Sequence, residues 1–401
     1  MLTLAHKHYI ENAATAWLRE LVAISSPYFE EASLIGYLED RLKLSFKTTV
    51  QTYEERNLLG HPFSGVNLIA DFGDFTNGFV VLNGHVDTVI RTNDWDQNPL
   101  ELRIEGDRCS GLGALDMKGG LTAFIVAMET MRHFGLNPTV GLRLNAVSDE
   151  EGPYSLGTLN AWRAGFYEGC MGVIIGEPVV PFSCRPVTFP AIAIGGRGRY
   201  YHSVLVKGKP GHGAMPRTGI NAVTDAARIC LDTGKIPLKS HDLLGQESVC
   251  VLQIQGGVKT LTIPDLCRFD FDRHVVPDTT LACAEQEFYH MVERLGLGSS
   301  VTLEFSECLP DGVVYQPYVA DHSHPFVRRL GEACHQATGR IPDYTGMLSI
   351  CDMNVLGPRI SAPVVLFGPT GENPHKNREW VSLRSICSVV ESLISFFLSE
   401  K

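Results

Sequence analysis

A chain of 401 residues is too long for one small core and fits about two domains of roughly 150 residues each. Its 44% hydrophobic and 20% charged content is that of an ordinary globular protein and excludes a disordered or fibrous one. A net charge of −11 without basic clusters excludes nucleic acid as a partner, because nonspecific affinity comes from basic residues that neutralise phosphates. No segment approaches the run of about 20 apolar residues that a membrane helix needs. The opening "MLTLAHKHYIENAATAWLRE" lacks the basic-then-apolar pattern of a secretory signal, so the expected location is cytoplasmic. Eleven scattered cysteines with no CxxC pair read as reduced core thiols rather than disulfides or zinc–thiolate sites.

In chain order, helices are expected over Ala13–Ile24 and Glu31–Leu42, then strands in "GVNLIADFG" and "GFVVLNGHVD". A helix follows over Met117–Phe134, where Leu121, Phe124, Ile125, Met128 and Met131 form one apolar stripe. "VGLRLNAVSD" and "MGVIIGEP" are further short, β-branched strands bounded by Gly or Pro. This alternation predicts an α/β domain with a mostly parallel sheet. After "GEPVVPFSCRPVTFPAIAIGGRG" the texture changes. Strands "RYYHSVLVKG", "SVCVLQIQGG", "CRFDFDRHVV" and "SVTLEFSE", with helices in "NAVTDAARICLDTG" and around Glu285–Leu295, read as a separate α+β unit. It starts near residue 195 and leaves near "LPDGVVYQP". We therefore expect a catalytic domain of residues 1–196 and 311–401, which regains a strand in "APVVLFGP", and an inserted smaller domain of residues 197–310.

The chemistry-bearing residues gather at expected strand ends, where α/β sheets bind ligands. His85 and Asp87 follow one strand, Asp149, Glu150 and Glu151 another, Glu177 follows "VIIG", and His375 lies beyond "VVLFGPTGENP". Asp116 sits in "GLGALDMKGG" before the Met117 helix. Each motif alone has an ordinary reading as a capped strand end, an acidic turn or a glycine loop. The glycine loop lacks both the GxGxxG and the GK[ST] spacing of phosphate binders. Together, two imidazoles and several carboxylates suit Zn²⁺ or a related ion, and two ions about 3.5–4 Å apart can share a carboxylate. Asp87, two residues past His85, is expected to hold the imidazole's other nitrogen, as a metal-bound His commonly requires.

"GHVDTV", "GLGALDMKGG", "SDEEG", "GEP", "GKPGHGAMP", a "GG" followed by "IPD" and "DFDR", and "FGPTGENPHKNREW" occur in this order. With them the chain resembles the acetylornithine deacetylase and succinyl-diaminopimelate desuccinylase family of co-catalytic zinc hydrolases, which includes aminoacylases, dipeptidases and a folate carboxypeptidase. The resemblance spans nearly the whole length. It implies a zinc-exopeptidase-type catalytic domain with an inserted dimerisation domain, and two divalent ions per chain, Zn²⁺ first, with Co²⁺ or Mn²⁺ as alternatives. It makes Asp116 the bridging ligand, with His85 and Glu177 on one ion and Glu151 and His375 on the other. Glu150 becomes the general base. His212 of "GHGAMP" becomes an oxyanion donor supplied to the neighbouring subunit of a homodimer, and Arg273 of "DFDR" the binder of a substrate carboxylate. Two stretches depart from the family: Leu261 stands where an Asn is common, and "TGMLSICD" replaces the "GGTSD" of the desuccinylases.

The expected function is removal of an acyl group from a small N-acylated amino acid, N-acetyl-ornithine-like substrates leading. A dipeptidase or carboxypeptidase is the alternative within the class. A non-catalytic binding protein on the same fold is the alternative outside it, and the intact ligand set argues against that.

Overall fold

The strand Phe79–His85 is buried from Val80 onward, which an apolar strand achieves only at the centre of a sheet covered on both faces. In the computed structural model, which describes residues 2–56, 61–152, 154–257, 261–306, 310, 312 and 314–399, that is where it lies. The order across the sheet is Lys47–Arg56, Pro62–Phe72, Gly141–Val147, Phe79–His85, Val173–Ile175, Val364–Leu366 and Ala191–Gly196. The strands from Gly141–Val147 to Val364–Leu366 run parallel. Pairing is antiparallel from Lys47–Arg56 to Gly141–Val147 and between Val364–Leu366 and Ala191–Gly196, and Asp343–Met347 runs parallel to Ala191–Gly196, so the expected mostly parallel sheet is a mixed one with a parallel centre. The parallel centre is what matters for function, since it puts the residues after His85, Val147, Ile175 and Leu366 along one edge.

The chain divides into two units, one of Met1–Gly196, Val319–Met347 and Cys351–Lys401, the other of Arg197–Tyr318 and Leu348–Ile350. In the first, the helix Gly119–His133 is buried nearly all round, because it packs on the sheet and also against the helices Leu4–Ala23 and Leu383–Leu398. Its start approaches the sheet closely. A Cβ on Gly120 would stand 2.0 Å from the carbonyl oxygen of Gly176, and one on Gly368 2.1 Å from the same atom, so no side chain fits at either position. The helix Leu4–Ala23 begins at Thr3, whose hydroxyl caps the His6 N–H. Its last carbonyls, Leu21 O and Ile24 O, accept hydrogen bonds from the buried Lys118 Nζ at 2.9 and 3.0 Å, which satisfies groups a helix end leaves open. Burial pulls the Lys118 amine down to about 7.

The second unit is a four-stranded antiparallel sheet in the order Ser248–Gly256, Leu266–Val275, Gly198–Lys207, Ser300–Ser306. Phe269 and Phe271 point to one face, where Ile229 and Phe288 of the helices Ala222–Asp232 and Leu281–Arg294 cover them. Of the expected exit "LPDGVVYQP", residues 309, 311 and 313 lie outside the described residues.

No described helix is long and apolar enough to cross a membrane. The described cysteines carry no disulfide.

Candidate metal centre

Strand register brings the polar residues together. His85 ends its strand, and with Nδ1 3.0 Å from the backbone carbonyl of Asp87, its Nε2 faces Asp116 Oδ1 at 3.3 Å and Glu177 Oε1 at 3.4 Å. A proton on Nδ1 leaves the Nε2 lone pair directed at the carboxylates, which is the form of imidazole that binds a metal. On the far side of the same aspartate, Oδ2 lies 3.1 Å from His375 Nε2. That imidazole in turn lies 2.9 Å from Glu151 Oε1. Asp116 therefore presents one oxygen to each of two donor sets, His85 with Glu177 and Glu151 with His375. Within each set of three the donor atoms lie within 4.8 Å of one another.

The two donor sets differ in burial, since the His375 side chain is 45% exposed while the set around His85 is enclosed. His85 is fully buried, and Asp116 and Glu177 are 6% and 5% exposed. Burial, then the charge of Asp116, pushes Glu177 up to about 8 and Glu151 up to about 7. Glu150, whose Oε2 lies 3.9 Å from His85 Nε2, is held well above the usual carboxylate range by burial and by the charges of Glu177 and Glu151, with His85 opposing. A cluster of carboxylates at this depth is costly unless cations compensate it. The mixed imidazole and carboxylate donors fit Zn²⁺ or a neighbouring divalent ion.

Asp87 faces the Nδ1 of His85, as expected, and does more besides. Its carboxylate lies 3.5 Å from His85 Nδ1, and its shorter bonds accept the N–H groups of Glu150 at 3.1 Å and Glu151 at 2.8 Å. It shapes the acidic turn, while its backbone carbonyl orients the imidazole.

Arg273, which the resemblance makes a carboxylate binder, is more enclosed than that role suggests. On the strand Leu266–Val275 it alternates onto the face of Phe269 and Phe271, is 1% exposed, and pairs with Glu247 and Glu287 at 2.7 Å each. The guanidinium is thus buried and ion-paired within its own unit rather than presented openly on a surface. His212, by contrast, is exposed on its loop in the second unit. Its Nδ1 accepts the N–H of Ala214 at 3.1 Å, so its proton sits on the outward Nε2.

Several residues of the centre escaped the sequence reading. Glu31 is buried, accepts the N–H of Asp149 at 2.9 Å, and is pushed up to about 8 by burial and then by Asp87. Nothing in the local pattern marks it. Asp352, buried and held by Asn83 Nδ2 at 2.7 Å, and Glu379, which accepts backbone N–H groups beside Asp116, both lie within stretches already singled out.

Residues 81–399 match the profile of Peptidase family M20/M25/M40. A succinyl-diaminopimelate desuccinylase of Beijerinckia indica is 28% identical over 380 residues, covering 92% of this chain and 94% of that protein. Among solved structures, a tripeptidase from Staphylococcus aureus superposes with a TM-score of 0.76 at 15% identity, covering 97% of this chain and 98% of the other. A dinuclear metal-binding peptidase of the same family from Bacillus subtilis superposes with a TM-score of 0.70 at 12% identity, covering 97% and 98%. At these identities the structural likeness establishes the zinc-exopeptidase-type α/β fold.

Proposed function

The chain belongs to peptidase family M20/M25/M40 and is a hydrolase of amide bonds, and from that premise we propose that it is a dinuclear metal-dependent amidohydrolase acting on a small, carboxylate-bearing N-acyl amino acid. One observation carries the reading. Asp116 turns its two oxygens to two separate sets of donors, His85 with Glu177 and His375 with Glu151. Those five side chains are the proposed ligands and Zn²⁺ the proposed ion, with Co²⁺ and Mn²⁺ acceptable to the same donors. Bound there, two ions would supply Lewis acidity toward the acyl carbonyl and lower the pKa of the attacking water.

In this reading Glu150 takes the proton of the attacking water and returns it to the leaving amine. It is suited to that by position: it stands beside His85 Nε2 at 3.9 Å, yet belongs to neither donor set. Asp87 holds Glu150 and Glu151 in different directions through their N–H groups. His212, with its proton on Nε2, is the proposed donor to the developing oxyanion. The resemblance that assigns it this role also has the second unit pair with its copy, so the proposed assembly is a homodimer in which each site borrows His212 from the neighbour.

Because relatives are named as succinyl-diaminopimelate desuccinylases, N-succinyl amino acids join the N-acetyl-ornithine-like class among the substrates to try. Assay of the Zn²⁺-loaded protein against N-acetyl and N-succinyl amino acids, dipeptides and tripeptides tests the proposal, with release of an acyl group expected. Cleavage of peptides alone would favour the exopeptidase alternative. Silence across the panel from protein that holds two ions would favour a binding role.

A further inference from the structure

Glu379 lies four residues beyond His375, is 1% exposed, and touches none of the proposed ligand atoms through its side chain. Its carboxylate instead collects backbone N–H groups from the loop that carries Asp116. Gly113 donates to Oε2 at 2.9 Å, while Leu115 and Asp116 itself donate to Oε1 at 2.8 and 3.1 Å. The main chain adds to the tie: Gly111 donates to the Glu379 carbonyl at 3.2 Å, and Trp380–Ser382 pairs antiparallel with Arg108–Ser110.

The segment that ends at Glu379 is itself unusual. Asn373, His375 and Arg378 all have left-handed φ, at 63°, 59° and 62°, a conformation unfavourable for a non-glycine residue and kept only where neighbours impose it. Outside, Arg378 Nε pairs with Asp96 at 2.8 Å and Asn377 binds Asp94 and Asp96. Inside, the anchor is Glu379. A short segment pinned at its exposed and buried sides thus presents His375 at one end and fixes the Asp116 backbone at the other. Because Asp116 must aim two oxygens in two directions, a small rotation of its backbone would move both at once.

We propose that Glu379 is a positioning residue that yokes the Asp116 loop to the His375 segment, so that ion binding by Asp116, Glu151 and His375 depends on a side chain that contacts no ion. The proposal rests on the dinuclear reading above. Outer partners of metal ligands typically contribute 10–100-fold to metal affinity.

Glu379→Gln is the informative change, because it keeps the shape and replaces one acceptor by a donor. Whichever way the amide turns, an NH₂ meets at least one backbone N–H. Metal-free wild type and Glu379→Gln are titrated with Co²⁺ while the visible absorption bands are followed, and Zn²⁺ content is measured after equilibrium dialysis. Wild type should take up two ions, and Glu379→Gln should bind one of them 10–100-fold more weakly, with altered Co²⁺ bands for the pair. Glu379→Asp, which keeps the charge but is one methylene too short to reach all three amides, should show the same defect and stands in where the Gln variant does not fold. A variant that melts lower when metal-free yet binds two ions with wild-type affinity and bands would make Glu379 merely structural and overturn the proposal. Wild type that binds no ion would instead overturn the dinuclear reading.

Discussion

Asp87 accepts the N–H groups of both Glu150 and Glu151, so two adjacent carboxylates leave one turn in fixed and different directions. Glu151 Oε1 meets His375 Nε2 at 2.9 Å, whereas Glu150 stops 3.9 Å from His85 Nε2. The proposed roles separate experimentally. Glu150→Gln should abolish turnover and retain both ions, since it removes a base and no ligand, while Glu151→Gln should lose an ion. Metal analysis of the two purified variants decides it, and equal metal content in both would refute the division. The proposed ligand set was legible in the sequence only through the order of the motifs and the resemblance they carry, since each motif alone has an ordinary reading. The residues that shape the turn were not. Glu31 binds the Asp149 N–H across 118 positions of sequence, a relation no local pattern encodes. Arg273 looked like a carboxylate binder because Arg has the right fork. That the alternation of its strand sets it beside Glu247 and Glu287 is not visible in the motif.

Among the elements, long helices with an apolar stripe were legible, and Leu121, Phe124, Ile125, Met128 and Met131 are all buried. The strand Lys47–Arg56 was not read. As a polar edge strand, paired only with Pro62–Phe72 and largely exposed, it carries no apolar alternation. Close packing was equally hidden. Gly120 looks like an ordinary helix-opening glycine, yet the Gly176 carbonyl occupies the place of its Cβ. Gly120→Ala should therefore destabilise the protein despite the better helix propensity of alanine, by about 1–3 kcal/mol as for other overpacked sites, measured by urea unfolding. An unchanged or raised midpoint would show that the helix can withdraw freely. In the second unit, His202 lies on Phe271, with ring centroids 4.8 Å apart. Burial, and then the charge of Arg273, pulls it down to about 4 from the ordinary 6.5. A histidine whose folded value is depressed stabilises the fold above its unfolded pKa, and that contribution is lost as pH falls from about 6.5 through 4. At about 1.4 kcal/mol per unit the loss amounts to up to about 3 kcal/mol. His202→Gln should flatten the stability profile over that window, and an identical slope in both proteins would contradict the assignment.

Over the molecule as a whole, the proposed ligands come from residues 85 to 375, and their meeting depends on topology rather than on any one motif. Parallel pairing of Phe79–His85 with Gly141–Val147 and Val173–Ile175, and of the latter with Val364–Leu366, delivers them to one edge. The alternation of strands and helices foretold that pairing, but not the antiparallel flanks. The result is a concentration of one sign of charge: Asp116, Glu150, Glu151 and Glu177 lie in one cluster with the buried His85 and the exposed His375. Packing carboxylates this closely opposes folding of the first unit, and divalent ions reverse that term. A ligand that binds only the folded state at 1,000 times its Kd adds about 4 kcal/mol of stability. At about 2–4 °C per kcal/mol for a domain of this size, removal of the ions should lower the melting temperature by about 10 °C, followed by scanning calorimetry with and without chelator. His375→Ala and Glu151→Gln, each lacking one ligand of the same ion, should show a reduced chelator response, while Arg273→Lys, which touches only the second unit's carboxylates, should keep the full one. A wild-type melting temperature indifferent to chelator, in protein shown beforehand to contain metal, would mean that the buried carboxylates hold protons rather than depend on ions for their stability.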